Sequence, residues 1–406
     1  MWRRFAALCL ASAAWSGIAF AQDVPAEDEA AFAAFVESFR IDAVASGIDP
    51  AFYDREMATA APLPSVREAQ ANQPEFVKPV WDYVDRAASS SRKERGREGL
   101  AEHAALLNAI GTEYAVPPEL IVAIWGLESS FGAFSGNTDV LSALGTIAYK
   151  GRRQTFGREQ LLAALHILQD GHATRKTLRG AWAGAMGQTQ FIPTTYRAYA
   201  VDHDGDGDKD LWSDPGDIFA STANYLSAVG ARSGLPWGFE VTLPDDFDYA
   251  EAVRTNRQSV GHWLAAGVEV PSGSIADRID LNERAAIIVP AGAAGPAFLV
   301  TDNFRAILRY NNATSYALGV GVLSDAIAGR NTALSRGWPR DDRLLTYDER
   351  VALQEALAER GYDPGPVDGI IGSGTRRALR AWQRDEALSA DGYASAAVLT
   401  QLGGGK

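Results

Sequence analysis

Cysteine is all but missing from this chain: Cys9 is the only one in 406 residues. It lies within MWRRFAALCLASAAWSGIAFAQ, where Arg3 and Arg4 precede an apolar run and Ala19-Phe20-Ala21 forms a small-x-small pattern before Gln22. That order is the order of a secretory signal peptide, residues 1–21, whose removal leaves an exported chain with no cysteine and no disulfide. Leu8 rather than a small residue precedes Cys9, so no lipid anchor is expected and the expected location is the periplasm. Long apolar runs are the second absence, since no later stretch is long enough to span a membrane. Positive charge is the third. Cleavage removes two of the 38 basic residues, leaving 36 against 51 acidic ones and a net charge of −15. So acidic a chain is a poor partner for nucleic acid. It suits an uncharged or zwitterionic polymer held by hydrogen bonds and stacking, for which the thirteen tyrosines and the tryptophans beyond Trp2 and Trp15, out of ten in the full sequence, provide surfaces. A length of 406 residues and 47% apolar content allow two or three ordinary globular domains.

The most informative stretch is PPELIVAIWGLESSFG, residues 117–132. Two prolines suit the first turn of a helix and Gly132 suits its exit. Leu120, Ile124, Leu127 and Phe131 follow the 3.6-residue period, and Glu128 stands one turn after Ile124, against that stripe. Partial burial there disfavours the ionised carboxylate and moves its pKa toward the range of a general acid at neutral pH. By itself the residue reads more readily as a helix-end Glu that reaches solvent or caps a neighbour.

In chain order, residues 27–58 carry helical periodicity (Phe32, Phe35, Val36, Phe39), broken near Gly47 and restarted at Asp49-Pro50. Pro62 to Pro79 reads as irregular, and SSSRKERGREGLAEHAALLNAIGTEYAV as one long amphipathic helix. Two helices follow around Val140–Tyr149 and Arg158–Gln169. In RGAWAGAMGQTQFIPTTYRAYAVD, Gly180, Gly184 and Gly187 let the backbone approach another surface closely. Short β-like runs at 239–243, 285–289 and 298–301 mark a small β-containing insertion, about 238–301. Helical pattern resumes in NFRAILRYNNATSYALGVGVLSDAI, and Gly337-Trp338-Pro339 opens a linker, 338–344.

Taken together, GLESSFG, AGAMGQTQF with IPTTY, ANYL and RYNNATSYALGV resemble, in order, the motifs of the B-type lytic murein transglycosylases. The resemblance covers roughly residues 27–335 and implies a mainly α, lysozyme-like catalytic region, 22–337. It implies that Glu128 is the single catalytic acid/base and that Met186, Gln190, Phe191, Tyr225, Tyr310, Asn311 and Tyr316 line a glycan site. One departure is Ala181, where many relatives have Ser. The implied reaction cleaves the MurNAc-β-1,4-GlcNAc bond without water. Most glycosidases need a second carboxylate, and these motifs hold none. Instead the substrate's 2-acetamido group steadies the developing charge and its own 6-hydroxyl attacks C1, giving a 1,6-anhydro end.

Residues 202–213, DHDGDGDKDLWS, match D-x-[DN]-x-[DN]-G, with Asp202, Asp204 and Asp206 at positions 1, 3 and 5 and Gly207 at the sharp turn. This pattern favours a structural calcium. Asp208 would add its carbonyl and Asp210 would reach the ion directly or through water. Ser213 stands where Glu is usual, so the resemblance implies that Asp217 closes a longer loop. No cofactor is required for the chemistry. Residues 345–402 resemble the three-helix peptidoglycan-binding domain through their L-Q, G-Y, D-G-x-x-G-x-x-T and Trp382-Gln383 steps. The expected partners are peptidoglycan strands and other wall enzymes, and the expected state is a monomer. Two rival readings stay open: a catalytically inert wall-binding scaffold, and a hydrolytic muramidase.

Overall fold

A computed structural model of the chain describes residues 26–71, 78–270 and 279–403. The signal-peptide reading and Cys9 lie outside them. As expected, the protein is mainly helical, and it divides into two units: 26–71 with 90–229, and 78–89 with 230–403.

The first unit opens with helices α1 (Ala26–Ala45), α2 (Pro50–Met57) and α3 (Pro64–Ala71). Three acids start α1, where the helix dipole favours negative charge. One of them, Asp28, accepts from Tyr149 and Lys150 at 2.8 Å and from Arg67, and the hydrogen bond from Lys150 leads the causes that hold its carboxyl down at about 2. Helix α3 corrects the reading of 62–79 as irregular. Pro64 fits a first helical turn, and the incoming Ala61 and Leu63 amides donate to Ser142 Oγ and Thr146 Oγ1 at 3.2 and 2.9 Å.

Helix α4 (Val80–Ala87) belongs to the second unit; α5 (Ser90–Glu102), α6 (Ala104–Glu113) and α7 (Pro118–Ser129) return to the first. The single long helix expected over 89–116 is therefore two. The break is His103, at φ −102° and ψ 20°, whose ring packs edge-on against Trp125 and Phe219 at 5.9 and 5.2 Å. A straight helix would carry that ring past this aromatic group. Next come β1 (Thr138–Asp139), α8 (Val140–Lys150), α9 (Gln154–Gln169), β2 (Arg179–Gly180), α10 (Pro193–Tyr199) and α11 (Pro215–Ala228). Helices α8 and α9 form a tight hairpin in which a Cβ on Gly157 would meet the Ala148 backbone at 2.5 Å.

In the second unit, β3 (Gly238–Val241), β4 (Gln258–Ser259), helix α12 (Val260–Ala265), β5 (Arg284–Ile288) and β6 (Ala297–Val300) build an antiparallel sheet of order β3-β6-β5-β4 with α12 beside it. Its core is Phe239, Val241, Trp263, Ile287 and Leu299. Helices α13 (Asp302–Tyr310) and α14 (Thr314–Ile327) follow, with α14 against α4, where Gly319 admits Ala87 and Tyr83. The stretch read as a linker is packed: Trp338 lies 6.2 Å from Trp81 and 6.1 Å from Phe298. The tail forms α15 (Tyr347–Glu359), α16 (Ser373–Asp385) and α17 (Ala396–Gln401) around Leu353, Leu357, Leu379, Trp382 and Leu399. Its motif glutamines are internal braces. Buried Gln354 accepts from the Asp368 and Gly369 amides, and Gln383 bonds Asp391 and Gly392.

Candidate active site

Helix α7 brings Glu128 to its last turn, half-buried, behind the buried residues Leu120 to Ile124. Its exit is unusual. Ser130, Phe131 and Gly132 are all left-handed, at φ 52°, 58° and 77°, a conformation that costs non-glycine residues about 1–2 kcal/mol each. The surroundings hold it. Ser129 Oγ donates to the Trp125 carbonyl at 3.1 Å and accepts from the Gly132 amide at 2.9 Å, and Arg95 donates to the Ser130 carbonyl. Phe131, expected to continue the helical stripe, lies beyond the helix end; the left-handed backbone folds its ring back onto Gly126 and Trp125. Gly132 is required twice over: φ is positive, and a Cβ would meet Gln188 Oε1 at 2.5 Å.

Gln188 and Trp125 are what the sequence reading missed. Trp125 Nε1 donates to Gln188 Oε1 at 2.6 Å, and Gln188 Nε2 donates to the Trp212 carbonyl at 2.7 Å. The glutamine thus joins α7 to the Gly-rich turn 180–191 and to the end of the acidic loop. The available signal was a Gln directly after Gly187, whose backbone touches Leu211 where a Cβ would stand. Gln190, at φ 54°, spends its amide nitrogen on the Ser135 and Gly187 carbonyls, both at 2.9 Å, which leaves its carbonyl oxygen as the group able to meet a ligand. Met186 is fully buried and Phe191 nearly so, backing the turn rather than offering surface. Tyr225, half-buried, stacks edge-on against Tyr199 at 5.0 Å and tilts on Phe191 at 5.8 Å. At Ala181 the backbone amide donates to the Ala185 carbonyl at 2.7 Å, closing the turn without a side chain.

The second unit holds the remaining three residues at one junction. Half-buried Tyr310 ends α13, buried Asn311 caps it and accepts from the Ala313 amide at 3.2 Å, and buried Tyr316 lies in the first turn of α14.

The acidic loop 202–217 turns on two left-handed glycines. Gly205 and Gly207 take φ 77° and 102°, and Asp202 accepts from both their amides. Oxygens of Asp202, Asp204 and Asp217 come within 4.8 Å of one another. Asp217, only 1% exposed, accepts from the His203 and Asp210 amides at 2.6 and 2.7 Å, yet burial pushes its carboxyl up to about 6. A buried carboxylate converging with two others on a glycine-turned loop is a donor set for a hard divalent cation, and so fits calcium. Asp206 accepts from the Asp208 amide at 3.0 Å, and Asp210 from Trp212 and Ser213.

A helix with a carboxylate in its last turn, a Gly-rich turn docked on it and an acidic loop joined through Gln188 define a class: the chain belongs to the transglycosylase SLT domain family, whose model matches residues 31–325, with a peptidoglycan binding domain matching 346–402. The mainly helical, lysozyme-like fold is the family's. Among particular relatives, SltB3 of Pseudomonas aeruginosa, solved with NAG-anhNAM-pentapeptide and with NAG-NAM-pentapeptide, is 49% identical, with 91% of this chain and 99% of that one covered at a TM-score of 0.84. Membrane-bound lytic murein transglycosylase B of Escherichia coli K12 is 34% identical over 231 residues, which is 55% of this chain and 60% of that protein, so the match spans well under two thirds of it. The Escherichia coli lytic transglycosylase Slt35, solved with calcium, is 28% identical across 74% of this chain and 93% of its own, at a TM-score of 0.62.

Proposed function

We propose that the chain is a lytic transglycosylase that cleaves the MurNAc-β-1,4-GlcNAc bond of peptidoglycan and leaves 1,6-anhydro-MurNAc ends. The observation that carries the reading is that Glu128 is the one carboxylate in the exit of α7 and in the Gly-rich segment tied to it. Residues 129–138 and 179–199 contain no Asp or Glu. The other acid of α7, Glu119, stands nine residues back, about 13 Å along the axis, beyond the roughly 5–9.5 Å that pairs two carboxylates in a hydrolase. Glu128 then serves both proton transfers. Its acid form protonates the glycosidic oxygen leaving with GlcNAc as the acetamido oxygen steadies C1. Its carboxylate next takes the proton from the 6-hydroxyl as that oxygen bonds C1. Gln190, Tyr225, Tyr310, Asn311 and Tyr316 are assigned to glycan binding, with Met186 and Phe191 supporting them.

Calcium belongs in the 202–217 loop as a structural ion, held by Asp202, Asp204 and Asp217 and joined by Asp206 and the Asp208 carbonyl; it takes no part in bond cleavage. Residues 1–21 are assigned as an export signal, 22–337 as the catalytic region, 338–344 as a connector and 345–402 as the wall-binding module of a periplasmic monomer. Mass spectrometry of digested sacculi tests the reaction: the muropeptides released should be lighter by one water than hydrolysis products, and reducing ends would point to a muramidase instead.

A further inference from the structure

Among the described residues, Phe134 and Tyr347 are the two aromatic rings left exposed, and Phe134 is 73% so. A lone exposed ring is ordinary on a protein surface; the mounting of this one is not. Its loop begins two residues after Glu128 and is fixed at three points. The Phe134 amide donates to the Ser129 carbonyl at 2.9 Å, the Ser135 carbonyl accepts from Gln190 Nε2 at 2.9 Å, and Gly136 lies so close to Gly180 that a Cβ would meet its carbonyl at 2.3 Å. Left-handed residues Ser130, Phe131, Gly132 and Gly136 set the path of the chain. The loop therefore holds an exposed ring at a fixed position just past the helix end that carries the candidate acid, on a backbone already tied to the turn that carries Gln190.

Ser129 to Thr138 includes no charged residue. That neutrality suits an uncharged pyranose, whose axial C–H face covers an aromatic ring, better than a stem peptide bearing carboxylates and amines. Because the loop is already ordered, little conformational freedom is lost on binding. We infer that Phe134 is a sugar-stacking platform of the glycan site, setting affinity for a ring next to the cleavage point. This rests on the functional reading above.

The test uses the full chain and peptide-stripped glycan strands of at least four sugars, with binding read by calorimetry in a Glu128→Gln background so that turnover is not needed. Phe134→Ala should weaken binding about five- to tenfold, Phe134→Trp should restore it, and Phe134→Leu should not, with melting unchanged in all three. In the active enzyme the Ala variant should raise KM and leave kcat within about twofold. The inference is overturned if Phe134→Ala binds stripped strands as the parent does, if Leu substitutes fully, or if the loss is confined to peptide-bearing strands. A wild type that bound glycan yet released only reducing ends would sink the transglycosylase reading and leave the stacking result standing.

Discussion

A single carboxylate asked to give a proton and then take one cannot be replaced by an amide, which does neither. Glu128→Gln keeps the volume and the half-buried position on α7. General acid–base assistance is worth about 10² to 10⁴ per transfer, so turnover of sacculi should fall about 10⁴-fold or more. Melting should change little, because the amide keeps the volume of the side chain and its half-buried position. Retention of activity within tenfold of wild type would show that another group carries the proton. The place of Glu128 near a helix end was legible in the sequence, because the prolines mark the start of α7 and the spacing sets Glu128 one turn after Ile124; its role as acid/base came only from the resemblance. Gln188 and Trp125 were not legible. Their contact joins residues 63 apart, and nothing in local periodicity announces a hydrogen bond closed by tertiary packing. The same holds for Ser130 and Phe131, whose left-handed backbone is imposed by Ser129, Arg95 and Gln188 rather than chosen by their own side chains.

At the scale of elements, Gln188 couples α7 to the acidic loop, since it holds Trp125 on one side and the Leu211 and Trp212 backbone on the other. Gln188→Leu leaves the Trp125 indole N–H and the Trp212 carbonyl without these partners. A fully buried group left unsatisfied costs about 1–3 kcal/mol, and these half-buried ones should cost less, a loss visible as a lower urea midpoint with unchanged slope, accompanied by weaker turnover as the α7 exit loosens. The loop itself should show a pH signature. Asp217 is raised to about 6 from an ordinary 3.8, so without metal the folded state binds more protons than the unfolded one between those values. Stability of the calcium-free protein from this group therefore falls as pH rises through that window. Bound calcium reverses the balance by favouring the carboxylate. The gain in melting temperature from millimolar calcium should be small at pH 5 and larger at pH 8; a gain independent of pH would remove Asp217 from the ligand set. Elements with their own punctuation, such as α2 behind Asp49-Pro50, were readable from sequence. The division of α5 from α6 was not, because it depends on where the His103 ring meets Trp125 and Phe219.

Across the whole molecule, the tail carries its own core. Leu345, Leu353, Leu357, Leu379, Trp382 and Leu399 close on one another, Thr346 and Glu349 form a reciprocal cap, and Gln354 and Gln383 satisfy the loops from inside. Its links to the rest of its unit include an exposed ion pair, a hydrogen bond and the packing of one tyrosine. Arg340 pairs with Asp85 at 2.7 Å, both about half exposed, and Asp391 accepts from the Ala293 amide at 2.7 Å beside Gly292, which makes room for Asp391 and Tyr393. Exposed ion pairs are worth about 0–1 kcal/mol and a hydrogen bond about 0.5–1.5 kcal/mol. A chain ending after Trp338 keeps the packing of Trp338 on Trp81 and Phe298 and gives up little else. It should stay folded, melt within a few degrees of the full chain, and cleave short soluble glycans within about two- to threefold of its rate. Retention on intact sacculi should fall by about 10²-fold or more, because a second binding module acts by effective concentration. Pull-down of both chains on the same sacculi decides it: equal retention would take away the ground for assigning residues 345–402 to wall binding, whatever the fate of Glu128.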